Sequence, residues 1–307
     1  MHASVLPGTA PVPGEAILLR GVGGNFLLAD RGELVGVATA RGNLRREGVV
    51  PTAGDRVLFS PTGDPDVPFR IDSVLPRRNL LPRPSIANLD VLFITVSAAE
   101  PSPDLFLVDK ILILCSVHKI RPIICVTKSD LDPGCADRIL EVYHTAGFAV
   151  HRSGLLDLDD LDALRSEIPG CIVGFAGQSG VGKSTVLNRL AEKWLMETGE
   201  LSLRIRRGRH TTRRVELFPF MGGYLADTPG FSSLDLWDVG VTGSQVVSGY
   251  PEILHMGDVC RFQGCRHVSE PGCAVSASVE IDSGRLERYR RFRSSLDAMD
   301  PYAKHRA

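Results

Sequence analysis

Eight consecutive residues constrain this chain more than any others: Gly177-Gln178-Ser179-Gly180-Val181-Gly182-Lys183-Ser184. They fit G-x(4)-G-K-[ST] and sit between an apolar run, CIVGFA, and a helix-compatible segment, STVLNRL. That is the strand–loop–helix setting the spacing requires. The glycines let backbone N–H groups turn inward, and the helix start adds partial positive charge, so the loop is shaped for phosphate. Lys183 is placed to reach the β- and γ-phosphates and the Ser184 hydroxyl to ligate Mg²⁺, with Thr185 completing the phosphate-side set. A glycine turn without a ligand is the plain alternative, and the flanking strand and helix speak against it.

The surroundings of the loop follow one pattern. LDVLFITVSA reads as a buried strand, LFLVDKILILCSVHK as an apolar helix, and RPIICVTKSD as a strand and loop. DRILEVYHTAG is a helix ending at Gly147; FAVHRS and LDDLDALRSEI add another strand and helix. Near-continuous apolar strands alternating with helices predict a parallel α/β sheet covered on both faces. Its ligand belongs beyond the C-terminal ends of the strands.

Upstream, from Glu15 to about Leu81, short runs alternate with turn signals: AILLRG, GNFLLAD, ELVGVATA, VVPTAGDRVLFS and FRIDSVL. Five strands and no convincing helix predict a small barrel of OB type. Such barrels often bind RNA; a docking or spacer role is the bland alternative. Residues 1–14 read as a loose tail, and the proline-rich LPRRNLLPRP separates the barrel from the sheet. After Leu234 the periodicity weakens, and VEIDSGRLERYRRFRSSLDAM closes the chain with an arginine-rich helix candidate. The expected division is multidomain α/β: an OB-fold at 1–82, a nucleotide-binding α/β domain at 83–233 and a cysteine-bearing C-terminal domain with helices at 234–307.

Composition narrows the class. Of 307 residues, 43% are hydrophobic and 23% charged, with a net charge of −1, so no global charge marks a nucleic-acid binder. Of the 35 basic residues 29 are Arg, a bias that suits phosphate contacts but also follows from a GC-rich coding sequence. The longest apolar run, Val91–Ala99, is broken by Thr95 and Ser97 and falls short of a membrane span. The N-terminal residues lack a secretory pattern. A cytoplasmic protein that contacts no membrane is expected.

Thr127-Lys128-Ser129-Asp130 fits [NT]-K-x-D at the end of an apolar strand. The Asp130 carboxylate can accept from both N1–H and the 2-amino group of guanine, a donor pair that adenine lacks. The Lys128 stem can cover the base. A second base contact is expected after the next strand, where Ser153-Gly154 stands. In GGYLADTPGF, Asp227 ends a strand and is suited to hold Mg²⁺, while the Gly230 N–H is suited to a γ-phosphate. Between the phosphate loop and DTPG, LRIRRGRHTTRR carries Thr212, with Thr211 beside it, able to close on Mg²⁺ when a γ-phosphate is present. This run is read as contacting phosphates, with a solvated loop as the alternative. Phe231 follows DTPG where a water-orienting glutamine would serve, and His210 is the candidate replacement.

Cys260-x(4)-Cys265-x-His267-x(5)-Cys273 offers three thiolates and an imidazole, a closed tetrahedral set suited to one structural Zn²⁺. The remaining cysteines, Cys115, Cys125, Cys135 and Cys171, are expected in the core.

Together TKSD ahead of the phosphate loop, NLDVLFITVSAAEP, GRHTTR, ADTPGFSS and the Cys/His spacing resemble the ribosome small-subunit-dependent GTPase A (RsgA/YjeQ) family over nearly the whole chain. In that family the GTPase domain is circularly permuted, so the base clamp precedes the phosphate loop. The resemblance implies hydrolysis of GTP to GDP, stimulated by the small ribosomal subunit late in its maturation. It also implies that barrel and zinc domain grip ribosomal RNA; a monomer is expected. Ser153-Gly154 departs from the family's usual Ser-Ala. Two other readings stand beside it: a P-loop NTPase or kinase acting on a small molecule, and a nucleotide-switched RNA-binding scaffold without significant hydrolysis.

Overall fold

The computed structural model describes residues 13–46, 48–82, 85–153, 158–198, 215–227, 235–256 and 259–299. Five strands, β1 (Gly14–Val22), β2 (Asn25–Asp30), β3 (Glu33–Ala40), β4 (Arg56–Pro61) and β5 (Phe69–Val74), form a closed barrel in the order β1-β2-β3-β5-β4. β1 pairs antiparallel with both β2 and β4, and β3 runs parallel to β5, as in an OB-type Greek key. Alternate residues point inward, so Leu18, Leu28, Ala38, Val57 and Ile71 are fully buried, and Phe59 meets Phe69 edge-on at 5.1 Å.

The absence of a helix here is an expectation the structure corrects. A short helix, α1 (Gly42–Arg46), lies between β3 and β4, and its Leu44 joins the barrel core. Five residues are too few to show a helical period, and burial of one side chain rather than propensity holds the turn. The long VVPTAGDRVLFS run is likewise strand only from Arg56. Its TAGD part is a turn in which Gly54 has φ +90°, and a Cβ there would lie 2.0 Å from the Ala87 carbonyl oxygen.

The proline-rich link is fastened to that turn. It forms a hairpin of β6 (Leu80–Pro82) and β7 (Ser85–Ala87). The fully buried Asp55 receives two bonds from Arg77, 2.7 Å from Nε and 2.8 Å from a terminal nitrogen. Asn88 adds a bond from its amide nitrogen to the Gly54 carbonyl, 2.9 Å.

The sheet contains β8 (Val91–Ser97), β9 (Arg121–Thr127), β10 (Ala149–Arg152), β11 (Ile172–Ala176), β12 (Glu216–Phe220) and β13 (Gly223–Asp227), in the order β10-β9-β8-β11-β13-β12. β8–β9, β9–β10 and β11–β13 pair in parallel. β12 is an unforeseen antiparallel edge strand, with Pro219 at a position only an edge tolerates. α2 (Leu105–Val117), α3 (Pro133–Thr145), α4 (Leu158–Ser166) and α5 (Lys183–Thr198) are the helices of this alternating region. Asp104 and Asp132 cap α2 and α3, each accepting from a first-turn N–H at 2.9 and 2.8 Å. Cys115 and Cys125 are buried as expected; Cys135 and Cys171 are only half-buried, near the ends of elements.

After the sheet come a 3-10 turn at Gly243–Gly249, α6 (Pro251–Met256), α7 (Ala274–Ala277) and α8 (Ser283–Met299). By internal contact the chain divides into two compact units. Met1–Asp90, Glu167–Gly174 and Arg209–Pro229 form the first; Val91–Ser166, Phe175–Gly208 and Gly230–Ala307 form the second. No described helix is long and apolar enough to cross a membrane.

Candidate functional site

β11 leads into the phosphate loop, and α5 begins at Lys183. Gly177 has φ +138°, and a Cβ there would lie 2.2 Å from the Thr95 carbonyl oxygen on β8, so the strand passes too close for any side chain. Gly180 and Gly182 also hold positive φ, 80° and 99°. The Lys183 ammonium donates to the Gly177 and Gln178 carbonyls, 2.8 and 2.7 Å. Burial pulls its pKa below the usual lysine value. Ser184 and Thr185 are exposed at the mouth of the helix, Ser179 is exposed at the loop tip, and Val181 anchors the loop in the core.

The base-clamp residues touch this loop directly. The buried Thr127 hydroxyl lies 2.5 Å from the Val181 carbonyl and 3.2 Å from that of Val96. Lys128 sits at φ +55°, a left-handed conformation costing about 1–3 kcal/mol for a residue with a side chain. That geometry sends its ammonium to the Gly180 carbonyl, 3.1 Å, and to the Glu100 carbonyl. Ser129 is buried, whereas the Asp130 carboxylate is exposed. Two motifs that sequence places far apart are therefore one construction, joined by backbone carbonyls.

Ser153 follows β10 and is buried, its N–H bonded to the Val126 carbonyl at 2.8 Å. Among the described residues its hydroxyl has no oxygen or nitrogen partner. The neighbouring Cys125 thiol is pushed up to about 12 by burial. Asp227 ends β13, one residue past the Gly174–Ala226 pair that sets β13 parallel to β11. Gly154, His210, Thr211, Thr212 and Gly230 lie outside the described residues. Sequence reasoning missed Glu100, whose carbonyl holds Lys128; a backbone acceptor leaves no trace in residue type.

The Cys/His residues do converge. Their ligand atoms lie within 4.8 Å of one another. The Cys260 and Cys273 sulfurs are each 3.5 Å from His267 Nδ1 and 4.0 Å from each other. Zn–S bonds of about 2.3 Å and a Zn–N bond of about 2.0 Å give tetrahedral edges of ~3.8 and ~3.5 Å, so the set fits that ion. The half-exposed Cys265 supplies the fourth ligand atom. Glu270 ties the knuckle together, accepting from the N–H groups of Arg266, Val268 and Ser269. Burial works against its charge, but its own N–H, those of Val268 and Ser269 and the Arg266 guanidinium hold its pKa down at about 2.

The family model described as RsgA GTPase matches residues 74–237. A protein of Ruminiclostridium cellulolyticum named small ribosomal subunit biogenesis GTPase RsgA is 42% identical, covering 93% of this chain and 95% of its own. One of the same name from Bacillus anthracis is 38% identical, covering 85% of this chain and 90% of its own. The crystal structure of YloQ, a circularly permuted GTPase, superimposes with a TM-score of 0.76 at 30% identity over 97% of this chain and 99% of that one. YjeQ from Thermotoga maritima gives 0.77 at 27% identity, covering 93% of this chain and 99% of that one.

Proposed function

The chain belongs to the RsgA GTPase family, and on that premise we propose that it hydrolyses GTP in the biogenesis of the small ribosomal subunit, stimulated by that subunit. The observation that carries the nucleotide half of this reading is the bond network joining Thr127 and Lys128 to the Val181 and Gly180 carbonyls. It ties the loop that carries Asp130 to the Gly177–Ser184 loop, which supports the reading because a base and its phosphates need a fixed separation.

In the proposed reaction, loop N–H groups and Lys183 stabilise the phosphoryl group as water attacks the γ-phosphate. Lys183 first exchanges its two loop carbonyls for phosphate oxygens. Ser184, Thr212 and Asp227 would hold Mg²⁺, which would supply positive charge against that of the phosphates. Gly177 to Thr185 bind the phosphates, with the Gly230 N–H added at the γ-position. Thr127 to Asp130 bind the base, with Ser153 and Gly154 beside it. His210 is assigned to orient the water, because Phe231 cannot. The Cys260, Cys265, His267 and Cys273 set would hold one structural Zn²⁺. The barrel (1–82) and C-terminal domain (234–307) would flank the permuted GTPase domain (83–233), gripping ribosomal RNA in the cytoplasm as a monomer.

The deciding measurement is GTP turnover with and without purified small subunits. Turnover should be slow alone and rise with subunits; no rise removes the ribosomal half and leaves the nucleotide site standing. Asp130→Asn should shift preference from guanosine to xanthosine nucleotides, and an unshifted preference would refute the clamp.

A further inference from the structure

Two arginines of α8, Arg285 and Arg288, face inward. Arg285, 1% exposed, donates to Asp109 Oδ1 on α2 at 2.6 Å and to Glu252 on α6 at 2.6 Å. Arg288 donates to Asp109 Oδ2 at 2.5 Å. The Tyr143 and Tyr250 hydroxyls complete the shell of that carboxylate, at 2.8 and 3.3 Å. Burial opposes the charge on Arg285, and Asp109 with Glu252 outweighs it, holding the guanidinium above its ordinary pKa. Higher on the helix, Phe292 stacks on Phe106 of α2 with centroids 4.1 Å apart.

The same helix also holds the Cys/His knuckle by its backbone. The Tyr289 hydroxyl donates to the Arg266 carbonyl at 2.8 Å, and Arg290 Nε to the His267 carbonyl at 3.2 Å. α2 meets the phosphate loop as well. Leu107, Val108 and Ile111 pack with Gly177, Gln178 and Val181 around a void of only about 10 Å³. A contact that dense transmits displacement instead of absorbing it.

We propose that α8 is a strut, fixed to α2 through Asp109 and to the knuckle through its carbonyls, so that occupation of the phosphate loop stiffens the Cys/His knuckle. Asp109 acts as a positioning residue in this scheme and touches no substrate. The inference rests on the nucleotide reading of the loop and needs no ribosomal partner.

Hydrogen exchange of the full-length chain, with and without saturating GDP, tests it. GDP should slow exchange in the phosphate loop, in α8 and across residues 265–273. The α8 and knuckle response should be about fivefold, the low end of coupling between linked sites. In Asp109→Asn the loop should stay protected by GDP while α8 and the knuckle lose their response. Arg288→Met, which removes one of the two cations, carries the same expectation if the first variant fails to fold. A wild-type knuckle indifferent to GDP, or a response equally strong in a folded variant, overturns the strut. A phosphate loop that GDP does not protect would instead overturn the nucleotide reading.

Discussion

Asp55 and Asp109 are both fully buried and both meet arginine, but their partners come from very different distances along the chain. Arg77 lies 22 residues from Asp55, and its side chain keeps 22% of its surface in water. Arg285 and Arg288 lie 176 and 179 residues from Asp109, and Arg285 is sealed at 1%. The first pair fastens a link to the turn beside it. The second holds distant parts of one unit together, and Asp109 and Arg285 have no solvent to fall back on, while Arg288 is 14% exposed.

That difference sets a scale of expected damage. Asp109→Ala leaves Arg288 without its carboxylate and Arg285 with Glu252 alone, and should cost about 3–5 kcal/mol. Trp194 and Trp237 both belong to the second unit, so tryptophan fluorescence in urea reads this loss. Asp55→Ala strands a guanidinium that can turn to water, and should cost only about 1–3 kcal/mol; hydrogen exchange of the barrel amides measures it. Equal losses would mean that exposure of the arginine does not decide the outcome. Smallest is Arg291→Ala. This cation lies 4.9 Å over Phe106 at the exposed side of α8, and should cost about 0.5–1 kcal/mol. A larger loss in the same urea experiment would extend the buried network to the surface of the helix.

The candidate nucleotide and metal residues were legible because their chemistry depends on short spacing. Gly177 to Ser184, Thr127 to Asp130 and Cys260 to Cys273 are each defined within a few turns of chain. What stayed hidden depends on distant pairing. The arginines of α8 read only as those of an arginine-rich helix, and nothing in their spacing names Asp109 as the acceptor. Asp109 does stand out in LFLVDKILIL as a carboxylate within an apolar helix, which is the trace such a network leaves. β12 was lost because Pro219 breaks a strand pattern, and an edge strand tolerates that break. α1 was lost because one buried leucine suffices to form it.

Parallel pairing of β8, β9 and β10 also fixes an order of events. These three strands are contiguous in sequence, and their pairings need nothing downstream. As the chain is synthesised from its N-terminus, Thr127 to Asp130 therefore emerge on a partial sheet before the phosphate loop exists. At ~10 residues per second, the roughly fifty residues between the two motifs take about five seconds to appear. Val181 and Gly180 then meet the Thr127 and Lys128 side chains on strands already paired, so the half of the candidate site proposed to read the base would template the half proposed to grip the phosphates.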